Sequence, residues 1–261
     1  MRRMVLAAGA AAVVVAGAVR AGRSRGAASA GAHGVLPGGI GSWINAYLDR
    51  PLHAAVAGTL DLQPDDDLLD VACGAGYFLT RSAPHVGHVA GIDLSGPKIV
   101  LARRRLADRI GAGTAEVVEG DAGALPWEDG RFTAVSCTDA FPFFPDPVLA
   151  LAEMCRVLGR GGRAAIDMNP RVPDGTESHL FRGPAGRFWA WNDGDVRRMM
   201  EAAGFDDVAV AHARVAGDNR IGNRLVRLVF GVDEETIATG VRPVPGPSAD
   251  EVQAEDPVAV G

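Results

Sequence analysis

The stretch that decides the fold is Leu68–Phe78, LLDVACGAGYF, together with Val89–Asp93, VAGID. The first apolar run ends in a turn of small residues, and the second ends in an acid 17 residues after Gly76. This pattern predicts a strand, a tight glycine loop, a helix and a second strand with a carboxylate at its tip. It is typical of the nucleoside-binding half of a doubly wound α/β sheet.

The residue types of this loop suit a bound nucleoside. Gly74 and Gly76 let the backbone reach positive φ and approach a ligand closely. The helix that follows directs its free N–H groups at the same place. Asp93 stands at the tip of the second strand, where a carboxylate can accept both hydrogen bonds of a ribose diol.

The rest of the chain continues the alternation of strands and helices. The predicted strands are Leu68–Ala72, His88–Asp93, Glu116–Gly120, Phe132–Thr138 and Arg163–Asp167, followed by a hairpin of Asp207–Val215 and Asn223–Phe230. We therefore expect an α/β, doubly wound, Rossmann-like fold. Its seven-stranded sheet should be mostly parallel, with an antiparallel edge strand.

Three regions differ in composition. Residues 1–41 combine a hydrophobic segment with a Gly/Ala/Ser-rich linker, and residues 42–230 carry the predicted domain. Residues 231–261 are acidic and rich in proline, which predicts a disordered tail.

Composition limits the partners and the compartment. The net charge is −6 and the pI is about 5.5, so the chain has no basic surface for nucleic acid. Lys98 is the only lysine among the basic residues, which we ascribe to codon usage. The cysteines, Cys73, Cys137 and Cys155, are odd in number and lack metal-ligand spacing. They predict buried, reduced thiols and no metal site.

The uncharged segment Met4–Val19 follows two arginines and resembles a signal peptide or a short anchor. It is short and weakly apolar for a span, and an incorrectly assigned start codon is an alternative. More arginines follow the segment than precede it, which places the domain in the cytoplasm if residues 4–19 do enter a membrane. We expect a cytoplasmic protein, untethered or loosely associated with a membrane through this segment.

Several blocks, in order, resemble the class I S-adenosylmethionine-dependent methyltransferases, of the small-molecule type with a methyltransferase-11-like domain. The resemblance covers well over half of the chain. The blocks are Leu69–Gly76, Gly91–Ser95, Gly120–Ala122 with Leu125–Trp127, Phe132–Val135, Glu153–Arg163 and Met199–Phe205.

The resemblance implies a role for each end of S-adenosylmethionine. Asp70 and the loop of Gly74 and Gly76 would hold the methionine end, and Asp93 would hold the ribose. Asp121 would bind the adenine amino group. The implied cofactor-binding residues are Asp70, Ala72, Gly74, Gly76, Asp93, Leu94, Asp121 and Ala122. A positive sulfonium suits a site lined with acids.

The chain departs from the family pattern at two points. Ala72 stands where relatives usually have glycine, and Phe141–Phe144, FPFF, stands where relatives often have a histidine pair. The catalytic residue is therefore unknown. Asp139 and His179 are weak candidates, and a turn cap and a surface-loop histidine are the respective alternatives.

Aromatic residues gather in the irregular section 169–191 before the last helix. They are Phe181, Phe188, Trp189 and Trp191. They form either a lid over the sheet edge or an apolar wall for a flat or lipid-like substrate. The sequence cannot choose between the two, and they are compatible.

We consider three functions. The first is methyl transfer from S-adenosylmethionine to a small molecule, with an apolar acceptor as one option. The second is an NAD(P)-dependent oxidoreductase, but Leu79 stands where that fingerprint requires a third glycine. The third is a non-catalytic binding protein with the methyltransferase fold. A nucleic-acid methyltransferase is disfavoured because the chain lacks a basic stripe.

Overall fold

The computed structural model of the chain describes residues 50–168, 172, 175–183, 186–213 and 235–244. The helices are α1 (Arg50–Leu60), α2 (Tyr77–Ser82), α3 (Gly96–Arg105), α4 (Ala107–Gly111), α5 (Pro147–Val157) and α6 (Asp193–Ala202), with 3₁₀ turns at Ala83–His85 and Phe141–Phe143. The strands are β1 (Asp67–Val71), β2 (His88–Asp93), β3 (Ala115–Glu119), β4 (Phe132–Cys137), β5 (Leu158–Asp167), β6 (His179–Gly183), β7 (Gly186–Ala190), β8 (Asp206–Ala213) and β9 (Glu235–Val241).

Seven strands form one sheet in the order β3-β2-β1-β4-β5-β9-β8. Strands β1 to β5 pair with one another in parallel, whereas β9 runs antiparallel to both β5 and β8. The predicted seven-stranded, mostly parallel sheet is therefore confirmed, and its antiparallel pairing lies at one edge. The strand order reverses between β1 and β4, where open α/β sheets bind ligands.

The last strand of the sheet comes from an unexpected part of the chain. β9 (Glu235–Val241) lies in the segment that the sequence predicts to be a disordered tail, so that prediction is wrong for residues 235–241. The domain consequently extends beyond the predicted boundary at residue 230. Strand β9 pairs with β5 from Asp167↔Ile237 to Arg163↔Val241, and Ile237 is buried. This pairing outweighs the acidic flanks because it completes ladder hydrogen bonds on both sides of β9.

Other predictions lie outside the described residues. These are the N-terminal segment and linker, the strand predicted at 223–230, and the tail beyond 244. The described part of the chain contains no helix that is both long enough and apolar enough to span a bilayer.

Two helix boundaries are set by local features. Helices α3 and α4 are separated at Leu106, which has a non-helical backbone (φ −100°, ψ 13°). Helix α6 is capped by Asn192, whose side chain accepts a hydrogen bond from the N–H of Asp195 at 2.8 Å. Asparagine is among the best N-cap residues.

The sheet is buried on both faces. Leu69 and Val71 of β1 pack on the face covered by α5 and α6, whereas Leu68 packs on the face covered by α1, α2 and α3. This alternation follows from the period of two in a strand. Both faces are apolar, as is usual for strands of a parallel sheet that is covered by helices.

The section predicted to be irregular contains a second, two-stranded sheet. Strands β6 and β7 pair antiparallel from His179↔Ala190 to Gly183↔Gly186. Strand β7 packs against the 3₁₀ turn Phe141–Phe143, which follows β4. The hairpin therefore lies beside the carboxyl end of the main sheet.

Candidate functional site at the carboxyl edge of the sheet

Each parallel strand ends in, or is soon followed by, an aspartate. In chain order these are Asp70, Asp93, Asp121, Asp139 and Asp167. The strand register aligns them: Asp93 lies opposite Glu119 at the end of β3. Asp70 lies opposite Ser136 near the end of β4. Since the carboxyl ends of parallel strands meet at one edge, these acids share that edge.

The loop between β1 and α2 has the backbone of a ligand cradle. Gly74 has φ 55° and Gly76 has φ 77°, both in the left-handed region. A Cβ atom at Gly76 would stand 3.0 Å from Cβ of Ala102, so glycine lets α3 pack against the loop. At Gly74 the nearest atom to such a Cβ is Cδ of Lys98, 4.0 Å away, which leaves room above the backbone.

Ala72 also adopts a left-handed backbone, with φ 60°. This conformation costs an L-residue about 1–2 kcal/mol, whereas glycine adopts it freely. The geometry explains why glycine suits this position. Alanine keeps the turn, but with strain at the point where the chain leaves β1.

Asp70 is a buried carboxyl group with one unsatisfied oxygen. Its side chain is 1 % exposed, and its Oδ1 accepts a hydrogen bond from Ser136 Oγ at 2.8 Å. Its Oδ2 has no hydrogen-bond partner in the described part of the chain. Burial raises the pKa of Asp70 to about 7, opposed by the Ser136 hydrogen bond and assisted by the charge of Asp93. Such a group becomes ionised when a cation binds beside it.

Asp93 is oriented by the loop it faces. Its Oδ2 accepts a hydrogen bond from the N–H of Gly74, and its Oδ1 accepts one from the N–H of Ser95, each at 2.9 Å. Each carboxylate oxygen retains a second acceptor site. The side chain is 8 % exposed, and Leu94 beside it is 68 % exposed. Both residues lie where the sequence predicts a nucleoside.

Asp121 is exposed and shapes the turn after β3. Its Oδ1 accepts a hydrogen bond from the N–H of Gly123 at 2.9 Å. This bond spans Ala122, which lies between the two residues. Arg156 of α5 holds the continuing loop by donating to the carbonyl oxygens of Leu125 (3.0 Å) and Trp127 (2.8 Å). The loop that carries Asp121 is thereby fixed to the helix behind it.

The acid after β4 is hydrogen-bonded to the acid that ends β5. The N–H of Asp139 donates to Oδ2 of Asp167 at 3.2 Å, and Asp139 has a left-handed backbone with φ 55°. Burial raises the pKa of the Cys137 thiol, and the charges of Asp70, Asp167 and Asp139 raise it further. The charges of these three carboxyl groups therefore act on one buried thiol.

Sequence reasoning missed Ser136 and Asp167. Asp167 is 2 % exposed and ends a strand that the sequence does predict, so the rule that selects Asp93 would also have found it. Ser136 is a polar residue inside an otherwise buried strand, which is a weaker signal. It was identified only by its contact with Asp70.

An aromatic cluster stands next to Asp139. Phe141 packs against Phe144 and Trp191, and Trp189 stacks on Trp191 with ring centroids 4.9 Å apart. Phe188 contacts the ring of Phe143. The predicted aromatic residues of the section 169–191 thus contact those of Phe141–Phe144, although the side chain of Phe181 lies outside the described residues. Trp191 is buried, whereas Trp189 and Phe188 are partly exposed.

The remaining candidates are placed as follows. His179 opens β6 at an exposed position, where its Nδ1 lies 2.9 Å from the carbonyl oxygen of Glu177. All three cysteines are free and buried, as predicted. Burial raises the pKa of the Cys73 thiol, so Cys73 is not an activated nucleophile. Within the described ranges no cluster of His, Cys, Asp or Glu has the arrangement of a metal site.

The fold and this edge define a class of protein: a Rossmann-like α/β domain with a glycine loop and acids at its strand tips, the place where such domains bind nucleosides. A family model described as a methyltransferase domain matches residues 69–166. That range runs from within β1 to the penultimate residue of β5, and it contains Asp70, Asp93, Asp121 and Asp139 but not Asp167. This match agrees with the resemblance to class I S-adenosylmethionine-dependent methyltransferases that the sequence blocks indicate.

Two curated relatives and one solved structure illustrate the similarity. Nocamycin O-methyltransferase of Saccharothrix syringae is 32 % identical over 170 residues, 64 % of this chain and 56 % of that protein. Demethylmenaquinone methyltransferase of Thermus thermophilus is 36 % identical over 118 residues, 44 % of this chain and 52 % of that protein. The chain thus spans about half the length of the curated relatives it matches.

The structure is that of 1,6-didemethyltoxoflavin-N1-methyltransferase from Burkholderia thailandensis, solved with 1,6-didemethyltoxoflavin and S-adenosylhomocysteine. It is 18 % identical, with a TM-score of 0.59, covering 78 % of this chain and 81 % of that one. At this identity the likeness shows the fold alone.

Proposed function

We propose that this protein transfers a methyl group from S-adenosylmethionine to a small, apolar acceptor. The observation that carries the proposal is the set of buried or half-buried carboxyl groups at the carboxyl edge of the sheet. Asp70 and Asp93 make no ion pair within the described part of the chain. Buried carboxyl groups of this kind are costly unless a partner arrives. A positively charged nucleoside is such a partner.

The residues present fit this cofactor. Asp70 has an unsatisfied buried oxygen and receives the ammonium of the methionine end. Asp93, fixed by two backbone N–H groups, accepts hydrogen bonds from the ribose diol. Asp121, with Ala122 and Leu94 beside it, binds the adenine. When bound, S-adenosylmethionine supplies a methyl group on a positive sulfur atom.

The chain acts mainly by positioning. Transfer would carry the methyl group to the acceptor and leave its former bonding pair on sulfur, and the proton of the acceptor would pass to solvent. The protein aligns the two reactants, which lowers the barrier because their relative freedom is already lost. Asp139 follows β4, and its backbone N–H donates a hydrogen bond to Asp167. In this proposal the carboxylate of Asp139 contacts a polar group of the acceptor.

The aromatic cluster supplies the binding surface for the acceptor. Trp189 and Phe188 are partly exposed, and flat apolar molecules bind such surfaces well. The ring of Phe188 contacts that of Phe143, which follows Asp139 in the chain. The names of two relatives agree with an acceptor of this kind. One is named for methylation of nocamycin and another for methylation of demethylmenaquinone. We propose an acceptor of similar chemistry, and a cytoplasmic location for the reaction.

A binding experiment tests the cofactor assignment. Calorimetric titration with S-adenosylhomocysteine should show micromolar-class binding, and titration with NADH should show none. Asp93→Ala should weaken S-adenosylhomocysteine binding by about a hundredfold, because ribose hydrogen bonds to a charged acceptor are lost. Asp65→Ala, which removes an exposed acid from the opposite edge of the sheet, is the matched control and should bind normally. Unchanged binding by folded Asp93→Ala protein would show that the ribose contact is wrong.

The acceptor requires a search. A cell extract should be incubated with the protein and a methyl donor labelled in its methyl group. We expect the label in organic-soluble aromatic compounds. Label that stays in the polar fraction would contradict the role of the aromatic cluster.

A further inference from the structure

Lys98 lies above the glycine loop and has no assigned role. It belongs to the first turn of α3 and is partly buried. Its Cδ lies 4.0 Å from the point where a Cβ of Gly74 would stand, so its alkyl chain passes over the loop. In the described part of the chain Lys98 takes part in no ion pair. A cation thus stands at a site otherwise lined with acids.

The neighbours of Lys98 define which part of a ligand it can reach. Gly74, beneath the lysine, donates its N–H to Asp93 Oδ2 at 2.9 Å. Lys98 and Asp93 therefore flank the same glycine. The thiol of Cys73 is influenced by Asp70, Asp93 and Lys98 together, the acids raising its pKa and the lysine lowering it. All three charged groups consequently lie around the start of the loop.

We propose that Lys98 binds the ribose of the methyl donor, its ammonium donating a hydrogen bond to a ribose hydroxyl oxygen. This inference rests on the proposed function. A hydroxyl group donates one hydrogen bond and accepts others, so one diol can donate to Asp93 and accept from Lys98. The lysine then holds the ribose from the side of α3, while Asp93 holds it from the end of β2.

Lys98 is assigned to the ribose rather than to the methionine carboxylate because of its place along the sheet edge. The methionine end lies toward Asp70 and Ser136, near the switch between β1 and β4. Lys98 instead lies in the first turn of α3, the helix that follows β2 and Asp93. The two possibilities make different predictions for ligands that lack one part of the molecule.

The test compares Lys98→Met with wild type for four ligands: S-adenosylhomocysteine, its 2′-deoxy and 3′-deoxy analogues, and 5′-methylthioadenosine. Lys98→Met should weaken S-adenosylhomocysteine binding about tenfold or more, as expected for a hydrogen bond to a charged group. For the deoxy analogue that lacks the contacted hydroxyl, the variant and wild type should bind equally. Such a cycle isolates the pairwise contact. Methylthioadenosine keeps the ribose, so its binding should weaken by the same factor as that of S-adenosylhomocysteine.

Two variants serve as controls. Arg104→Met removes an equal charge from an exposed position of the same helix and should leave all four affinities unchanged. Lys98→Arg keeps the charge and should retain most of the affinity. Thermal unfolding of each variant checks that the fold is intact.

The outcomes separate the two proposals. Failure of wild type to bind S-adenosylhomocysteine would reject the proposed function. If wild type binds but Lys98→Met has no effect, or weakens both deoxy analogues as much as the parent ligand, the ribose contact is rejected. A loss for S-adenosylhomocysteine without a loss for methylthioadenosine would place Lys98 at the carboxylate and also overturn the inference.

Discussion

Both edges of the central sheet carry aspartates, but the groups that bind these carboxylates differ between the two edges. At the amino edge, Asp66 accepts hydrogen bonds from Thr133 Oγ (2.6 Å) and Arg163 (2.6 Å). Asp67 contacts His88 at 2.8 Å and also pairs with Arg131. Every carboxylate group of this pair has a cationic partner.

At the carboxyl edge, the partners are neutral. Asp70 is bonded to the Ser136 hydroxyl, and Asp93 is bonded to the backbone N–H groups of Gly74 and Ser95. Neutral donors orient a carboxyl group without cancelling its charge. The amino edge therefore fixes the strands, and the carboxyl edge keeps negative charge available for a cationic ligand. Substitutions at the two edges should affect different properties.

The largest effect is expected at the amino edge, on stability. Asp66→Ala leaves Arg163, Thr133 and the N–H of Gln63 without their acceptor. Asp66 is 4 % exposed, so the free energy of unfolding should fall by about 2–3 kcal/mol. Urea denaturation measures this change, and S-adenosylhomocysteine affinity measured on folded protein should stay within about twofold. A large loss of affinity would show that the edges do not act separately.

The second effect concerns ligand binding and pH. Burial raises the pKa of Asp70 to about 7, so the group holds its proton as the pH falls below that value. A neutral carboxyl group binds an ammonium poorly, so affinity should weaken on acidification. We expect S-adenosylhomocysteine to bind about tenfold more weakly at pH 6 than at pH 8, following the change in the ionised fraction.

Asp70→Asn provides the control for this pH dependence. The asparagine is neutral throughout, so binding should be weak and nearly independent of pH between 6 and 8. A wild-type profile as flat as that of the variant would argue against a contact between Asp70 and the ammonium.

The smallest effect concerns strain at the end of β1. Ala72→Gly should relieve the left-handed strain of about 1–2 kcal/mol but increase the freedom of the unfolded chain by about 0.5–1 kcal/mol. A net gain of about 0.5–1 kcal/mol should appear in urea denaturation. Ala75→Gly, at ordinary φ in the same loop, should destabilise instead. Equal effects of both substitutions would show that φ at Ala72 is not strained.

The sequence predicts the candidate site better than it predicts strand β9 at the antiparallel edge of the sheet. The loop and Asp93 follow from local patterns, because a buried strand, a glycine turn and an acid are adjacent in the chain. The register that brings Asp70 to Ser136 joins residues 66 positions apart, and no local pattern specifies it.

Strand β9 shows the opposite case. Its residues Glu235–Val241 have acidic and proline-rich neighbours, and the turn residues Gly217–Asn219 are a stronger local signal for a hairpin. What stabilises β9 is the backbone of β5, which lies about 70 residues earlier in the chain. A long-range partner of this kind outweighs local composition.

The position of β9 has a consequence for synthesis. On the ribosome, β5 is complete long before residues 235–241 emerge, and β8 cannot join the sheet until they do, since β9 lies between them. During that interval the outer side of β5 presents unpaired N–H and C=O groups over Arg163–Asp167. Such an edge is a template for intermolecular pairing. A nascent chain released before residue 235 would therefore be prone to aggregate, although its predicted ligand-binding residues had already been translated.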